Sequence, residues 1–119
     1  MSSSLPFSSS REAGEFVFVS GKIGVDPKSG RVVSSSAAEQ TAQIMSNLEA
    51  ELAPYGLSLD DAVKMTVFLT DMKYFEEMNA VYRSWFPSRL PARSCVAVVS
   101  LPHADALVEI ECIAWKRVV

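Results

Sequence analysis

The chemistry-bearing residues of this chain cluster in one run, residues 91–116, "PARSCVAVVSLPHADALVEIECIAWK", where Arg93, Glu109 and Glu111 interrupt a β-favouring apolar stretch. An arginine fork matches both oxygens of a small carboxylate, which a lysine point charge does not. A carboxylate nearby can hold a water and accept its proton. The competing reading is a cross-strand Arg–Glu pair that only holds an interface together. Side chains alternate along a strand, so Val108, Ile110, Cys112 and Ala114 form one face, and Leu107, Glu109, Glu111, Ile113 and Trp115 the other. The apolar set belongs under helices, which sends the carboxylate set to the opposite side. A tight antiparallel hairpin through "LPHADA" would bring Arg93 near Glu109 or Glu111 on that side, in a register the sequence leaves open. That arrangement puts Cys95 with Arg93 and Cys112 on the far face, which argues against a disulfide between them.

The elements that must position these residues can be read upstream. Residues 1–13 are Ser-rich and read as a loose segment. "EFVFVSGKIGVD" reads as a strand that bends or bulges at its glycines and continues briefly, and "DPKSGR" as a turn. "SSSAAEQTAQIMSNLEAELAPYG" predicts a helix capped near Ser36, burying Ala37, Thr41, Ile44, Met45, Leu48 and Leu52. In "LDDAVKMTVFLTDM", Val63, Met65, Val67 and Leu69 alternate with polar residues as the core face of a strand. "DMKYFEEMNAVYRSWF" predicts a second amphipathic helix with a wide apolar face that includes Phe75, Met78 and Tyr82, stopped by Pro87. Two strands, about 93–100 and 107–116, complete the order ββ-α-β-α-ββ. The expected fold is α+β, one mixed sheet with both helices on one face. "FVFV", "VAVV" and "ECIAW" carry bulky apolar residues at both parities, so the second face must be covered by further copies.

Composition narrows the class. A chain of 119 residues with 49% hydrophobic and 21% charged residues is one soluble globular domain, residues 1–119. A net charge of −3, with scattered Lys and Arg, argues against a surface built for nucleic acid. Two cysteines and one histidine, His103 in a turn, give neither a disulfide framework nor a metal signature. The start lacks a secretory signal pattern, and no run reaches the roughly 18–20 apolar residues of a membrane helix. The expectation is a cytoplasmic protein without a His-rich metal site that engages neither nucleic acid nor membrane.

"LPARSCVAVVSLP" followed by "VEIECIAW" resembles the C-terminal signature of the Rid family, the reactive intermediate deaminases, also called YjgF and historically L-PSP endoribonuclease. "FVFVSGKIGVDPKSG", "DAVKMTVFLTDM" and "FEEMNAVYRSWF" follow the same family's order and spacing. The resemblance implies a chorismate-mutase-like fold and a homotrimer whose remaining sheet faces form a central barrel-like core, with ligand sites in clefts between subunits. It implies cofactor-independent hydrolysis of 2-imino acids or their enamine tautomers, such as 2-iminopropanoate and 2-iminobutanoate, to 2-keto acids and ammonia. On that pattern Arg93 clamps the substrate carboxylate and Glu109 positions the attacking water. Cys95, Ser20 and Gly21 line the pocket, Phe7 stands where the family carries a Tyr, and Asn79 is a landmark rather than a catalyst. Lys22 replaces the family's Gln, which with Phe7 puts substrate range in doubt. Glu111 is assigned a structural role.

Two other functions remain on the table. A non-catalytic trimeric sensor of small carboxylates would keep the Arg pocket without turnover. An endoribonuclease or translation inhibitor is disfavoured by the acidic charge and the absence of a basic groove or a His pair.

Overall fold

The computed structural model describes residues 5–117. Two short-linked strands, β1 (Ser10–Ala13) and β2 (Phe16–Ile23), are followed by helix α1 (Ala37–Leu52), strand β3 (Ala62–Leu69), helix α2 (Phe75–Ser84), and strands β4 (Ala92–Ala97) and β5 (Val108–Trp115). The order ββ-α-β-α-ββ is the expected one. β1 occupies residues 10–13, so the segment read as loose is structured there; positions 1–4 lie outside the described residues. The bend or bulge expected in residues 15–26 is present, within the single strand β2. Its ladder against β5 slips between Val19 and Lys22, which sets Ser20 and Gly21 against a single partner position, a β-bulge.

The sheet order is β1-β2-β5-β3-β4. β5 lies between β2 and β3, antiparallel to both, and β4 runs parallel to β3 at the edge. The expected β4–β5 hairpin is therefore not formed. The reason is the connection: α2 joins β3 to β4, and a helical crossover delivers the next strand parallel to the one before it.

Both helices cover one face of the sheet. Ser36 caps α1 by accepting the Glu39 amide (3.1 Å), and Ala37, Thr41, Ile44, Met45, Leu48 and Leu52 are buried as their spacing demands. Gln40 is buried with them. Its Nε2 donates to the carbonyls of Ser34 (2.8 Å) and Asp105 (3.0 Å), and its Oε1 accepts the Leu107 amide (2.8 Å). This fully bonded amide clamps the loop before α1 to the loop before β5, so its burial carries little desolvation cost. From the sheet, Val17, Val19, Met65, Val67, Leu69, Val108, Ile110, Cys112 and Ala114 complete the core. Val63 departs from its expected place: the β3–β5 ladder shifts between Ala62 and Lys64, so Ala62 is buried and Val63 stays 38% exposed.

The other sheet face has no layer over it among the described residues. Phe18 is 45% exposed there, with Phe16, Val96 and Trp115 also accessible. An exposed apolar sheet face of this kind marks an interaction surface.

Candidate functional site

The sequence-nominated residues fall into two groups. The first lies around the bulge of β2. Glu109 on β5 faces the open side, paired in register with Phe68 and Ile23. Its carboxylate sits directly over Gly21, where a Cβ would overlap the Glu109 side chain. The bulge thus places a residue without a side chain where the carboxylate must pass. Burial and the neighbouring Glu111 charge push the Glu109 carboxyl above the usual carboxylate range. Ser20 donates its hydroxyl to the Ser8 carbonyl (2.6 Å), and its amide to the Ser9 carbonyl (2.9 Å). These bonds tie the segment carrying Phe7 to β2. Phe7, 59% exposed, stands at the rim of a concavity of about 570 Å³ that also includes Phe18, Ser20, Thr66 and Glu111.

Lys22, one residue past Gly21, turns the other way. It is registered with Ile110 on the helix face and donates to Glu51 Oε1 of α1 (3.0 Å). Ser10 donates to the second Glu51 oxygen (2.6 Å) and shares a hydrogen bond with the Tyr55 hydroxyl (2.9 Å). Burial raises the Glu51 carboxyl, but the Ser10 and Lys22 hydrogen bonds and the Lys22 charge outweigh it and hold it below its ordinary value. Lys22 is thus held in an ion pair with α1.

The second group lies across the sheet. Arg93 is registered with Met65 and Cys95 with Val67, both buried under the helices, so Arg93 and Cys95 point to the helix face. The expectation that Arg93 and Glu109 share a face is overturned: they lie on opposite faces, with β3 between their strands. The parallel pairing of β4 is the cause, since it fixes a register the imagined hairpin would not have. Cys112, registered with Met65, is consequently on the same face as Cys95 rather than the opposite one. Both thiols are free. Burial raises the Cys95 thiol against the Arg93 charge, and burial with Glu111 pushes Cys112 to about 12, so neither is an activated nucleophile.

Arg93 occupies a cleft of about 210 Å³ between β4 and α2, with Asn79, Tyr82, Arg83 and Leu90. Its Cζ lies 4.8 Å from the Tyr82 ring centre and 5.7 Å from that of Phe75. One N–H reaches Met78 Sδ at 3.8 Å, a weak acceptor. Among the described residues no carboxylate pairs with it. The cross-strand ion pair considered from sequence is absent, and the fork is left with donors to spend. Two buried atoms nearby, Asn79 Oδ1 and the Tyr82 hydroxyl, have no hydrogen-bond partner. From sequence Tyr82 and Phe75 are read only as part of the apolar packing face of α2; their seven-residue separation on that face was the signal for a shared neighbour. His103 accepts the Asp105 amide (3.1 Å) inside its own turn, away from both groups. Among the described residues there is no cluster of His, Cys, Asp and Glu that could hold a metal, and no helix long and apolar enough to cross a membrane.

The mixed five-stranded sheet backed by two helices is the fold of the YjgF and L-PSP structures it superposes on. The family model described as Endoribonuclease L-PSP matches residues 1–116, and the chain belongs to that family, which also carries the names RutC and Rid. A RutC family protein of Pyrococcus horikoshii is 45% identical over 112 residues, spanning 94% of this chain and 88% of that protein. The chloroplastic Reactive Intermediate Deaminase A of Arabidopsis thaliana is 39% identical over 92% of this chain and 58% of its own length. The crystal structure of E. coli TdcF with bound serine superposes with a TM-score of 0.88 at 36% identity, covering 94% of this chain and 89% of that one.

Proposed function

We propose that the protein is a hydrolytic deaminase of small 2-imino acids, acting at a site that two copies of the chain complete. The observation that carries this reading is Arg93: a half-buried guanidinium with no anion to neutralise it among the described residues. A charge in that setting is costly unless it meets a partner, and a ligand carboxylate is the partner its geometry suits.

Arg93 and Glu109 cannot meet within one chain, because the sheet separates them. A second copy packed on the open apolar face would supply the missing half of each site, and a closed homotrimer does this for every copy. In that assembly Arg93 takes the substrate carboxylate and orients C2 toward Glu109 of the neighbouring copy. Glu109 in its ionised form accepts a proton from water as the water oxygen bonds to C2 and the C=N π pair moves to nitrogen. The carbinolamine formed in this way from the protonated imine takes the proton back on nitrogen from Glu109. The C–N bond then breaks as the C2 hydroxyl O–H pair becomes the C=O bond, the hydroxyl proton passing to Glu109 and on to the departing ammonia, leaving the 2-keto acid. The imine carbon is already electrophilic, so orientation and one base suffice; general-base help of roughly 10²–10⁴-fold is the usual scale.

The test is to generate 2-iminopropanoate and 2-iminobutanoate in place with an amino-acid oxidase and trap residual imine with semicarbazide. The protein should suppress trapping, and Arg93→Ala should not. A second reading, a small-carboxylate binder without turnover, draws on E. coli TdcF, whose structure holds serine. Unchanged trapping together with ligand-induced thermal stabilisation would select it.

A further inference from the structure

We propose that one face of α2 is a shelf that orients the Arg93 fork, making Phe75 and Tyr82 positioning residues for carboxylate capture; this rests on reading Arg93 as the carboxylate-binding group. Phe75, Met78 and Tyr82 stand at positions i, i+3 and i+7 of one helix and therefore on one stripe. The guanidinium carbon lies over both rings, at 5.7 and 4.8 Å, and its one bonded N–H ends on a thioether 3.8 Å away.

What this arrangement leaves undone is as informative as what it does. A side chain as long as arginine has to be held if its fork is to present a fixed edge, and a protein usually holds it with a carboxylate. Here a carboxylate would consume the donors the ligand needs. Two ring faces and a sulfur restrain the cation while leaving its charge uncompensated and most of its N–H groups unspent. Tyr82 is the firmer half of the shelf, 4% exposed and packed at a 48° tilt against Phe86, 5.0 Å between ring centres. Phe75 is the half-exposed outer half. A lysine at position 93 would find the same rings but offer no planar fork for them to orient.

The experiment is calorimetric titration of the full chain with 2-oxobutanoate, a stable carboxylate of the product class, on wild type, Arg93→Ala, Tyr82→Leu, Tyr82→Phe and Phe75→Leu. Losing either ring should weaken binding about 5- to 30-fold, and Tyr82→Phe, which keeps the ring, should recover most of what Tyr82→Leu loses. In the imine assay the same variants should raise KM more than they lower kcat. The deciding arm is the double variant: with Arg93→Ala already present, removing a ring should cost nothing further, because the rings act only through the arginine. If Arg93→Ala leaves the affinity intact, the carboxylate reading itself falls. If Arg93→Ala weakens binding while ring removal has no effect, or has the same effect with and without the arginine, the shelf is overturned. Should Tyr82→Leu fail to fold, the more exposed Phe75→Leu carries the same cycle.

Discussion

Glu109 and Gly21 are in contact across the β2–β5 ladder at the one place where β2 bulges, and the contact exists because Gly21 has no Cβ. Gly21→Ala is expected to swing the flexible carboxylate aside while the strand stays paired. Turnover should drop on the order of 10²-fold, the scale of an ångström-sized misplacement, with melting temperature within a few degrees of wild type. An active Gly21→Ala enzyme would remove Glu109 from the chemistry.

The raised Glu109 carboxyl makes a pH prediction with a definite sign. In the proposed mechanism Glu109 acts as a base in its ionised form, so kcat/KM should rise with pH along a limb centred above the ordinary carboxyl value of 4.5. Glu111→Gln removes the neighbouring charge and should move that limb down. For folding, a raised carboxyl contributes stability below its unfolded value and loses it as pH rises through the folded one. Glu109→Gln should therefore melt no lower than wild type at neutral pH while losing turnover. A Glu109→Gln chain that melts several degrees lower would mean the carboxylate is structural.

Glu51 carries the opposite sign. Its carboxyl is held below 4.5, so its contribution is present above the unfolded value and disappears as pH falls through the folded one. Denaturation in urea at pH 7 and at pH 3 should show Glu51→Gln destabilising only at the higher pH. A double-mutant cycle of Lys22→Met and Glu51→Gln should return a coupling of about 0.5–1 kcal/mol for this partly screened pair. Equal destabilisation at both pH values would point to lost packing instead of lost charge.

The Tyr82 hydroxyl is buried without a partner, and burial pushes it up to about 12, so it stays neutral. Removing an orphaned buried polar group relieves its desolvation penalty, on the order of 1 kcal/mol. Tyr82→Phe should keep or raise the melting temperature. A clear loss of stability would assign the hydroxyl a partner from a second copy.

The open face makes the last prediction. Phe18 lies on it, exposed on β2 and flanked in register by Arg11 and Ile113. Wild type should elute at three times the 13.0 kDa chain mass, and Phe18→Asp should shift the population toward single chains and reduce deamination in parallel. A monomer that retains full activity would defeat the composite site.

Much of this molecule was legible because it depends on local periodicity. The buried stripe of α1, the apolar set of β5 and the outward carboxylates Glu109 and Glu111 all follow from spacing alone. What failed was pairing. Arg93 was placed beside Glu109 by assuming that strands consecutive in sequence are neighbours in space. The helix between β3 and β4 was in plain view, and a strand–helix–strand unit argues for parallel neighbours; that signal carried the answer. Val63 failed for a different reason: a bulge reverses alternation, and nothing in "DDAVKM" marks one. Gln40 escaped notice because two of its three buried bonds go to Asp105 and Leu107, far away in sequence.

The position of β5 has a consequence for how the chain comes together. It is the last element in chain order yet it lies between β2 and β3, supplying the ladder that joins one half of the sheet to the other. During synthesis β2 and β3 therefore wait with bare edges, and both helices wait for much of the surface they cover. Native pairing at the centre of the sheet links residues nearly the whole chain apart, such as Phe16 with Trp115. Contacts of such long range close slowly and expose unpaired edges to other nascent chains meanwhile. Assembly of this fold is set by its final strand, and a ribosome paused before residue 108 holds two unjoined half-sheets.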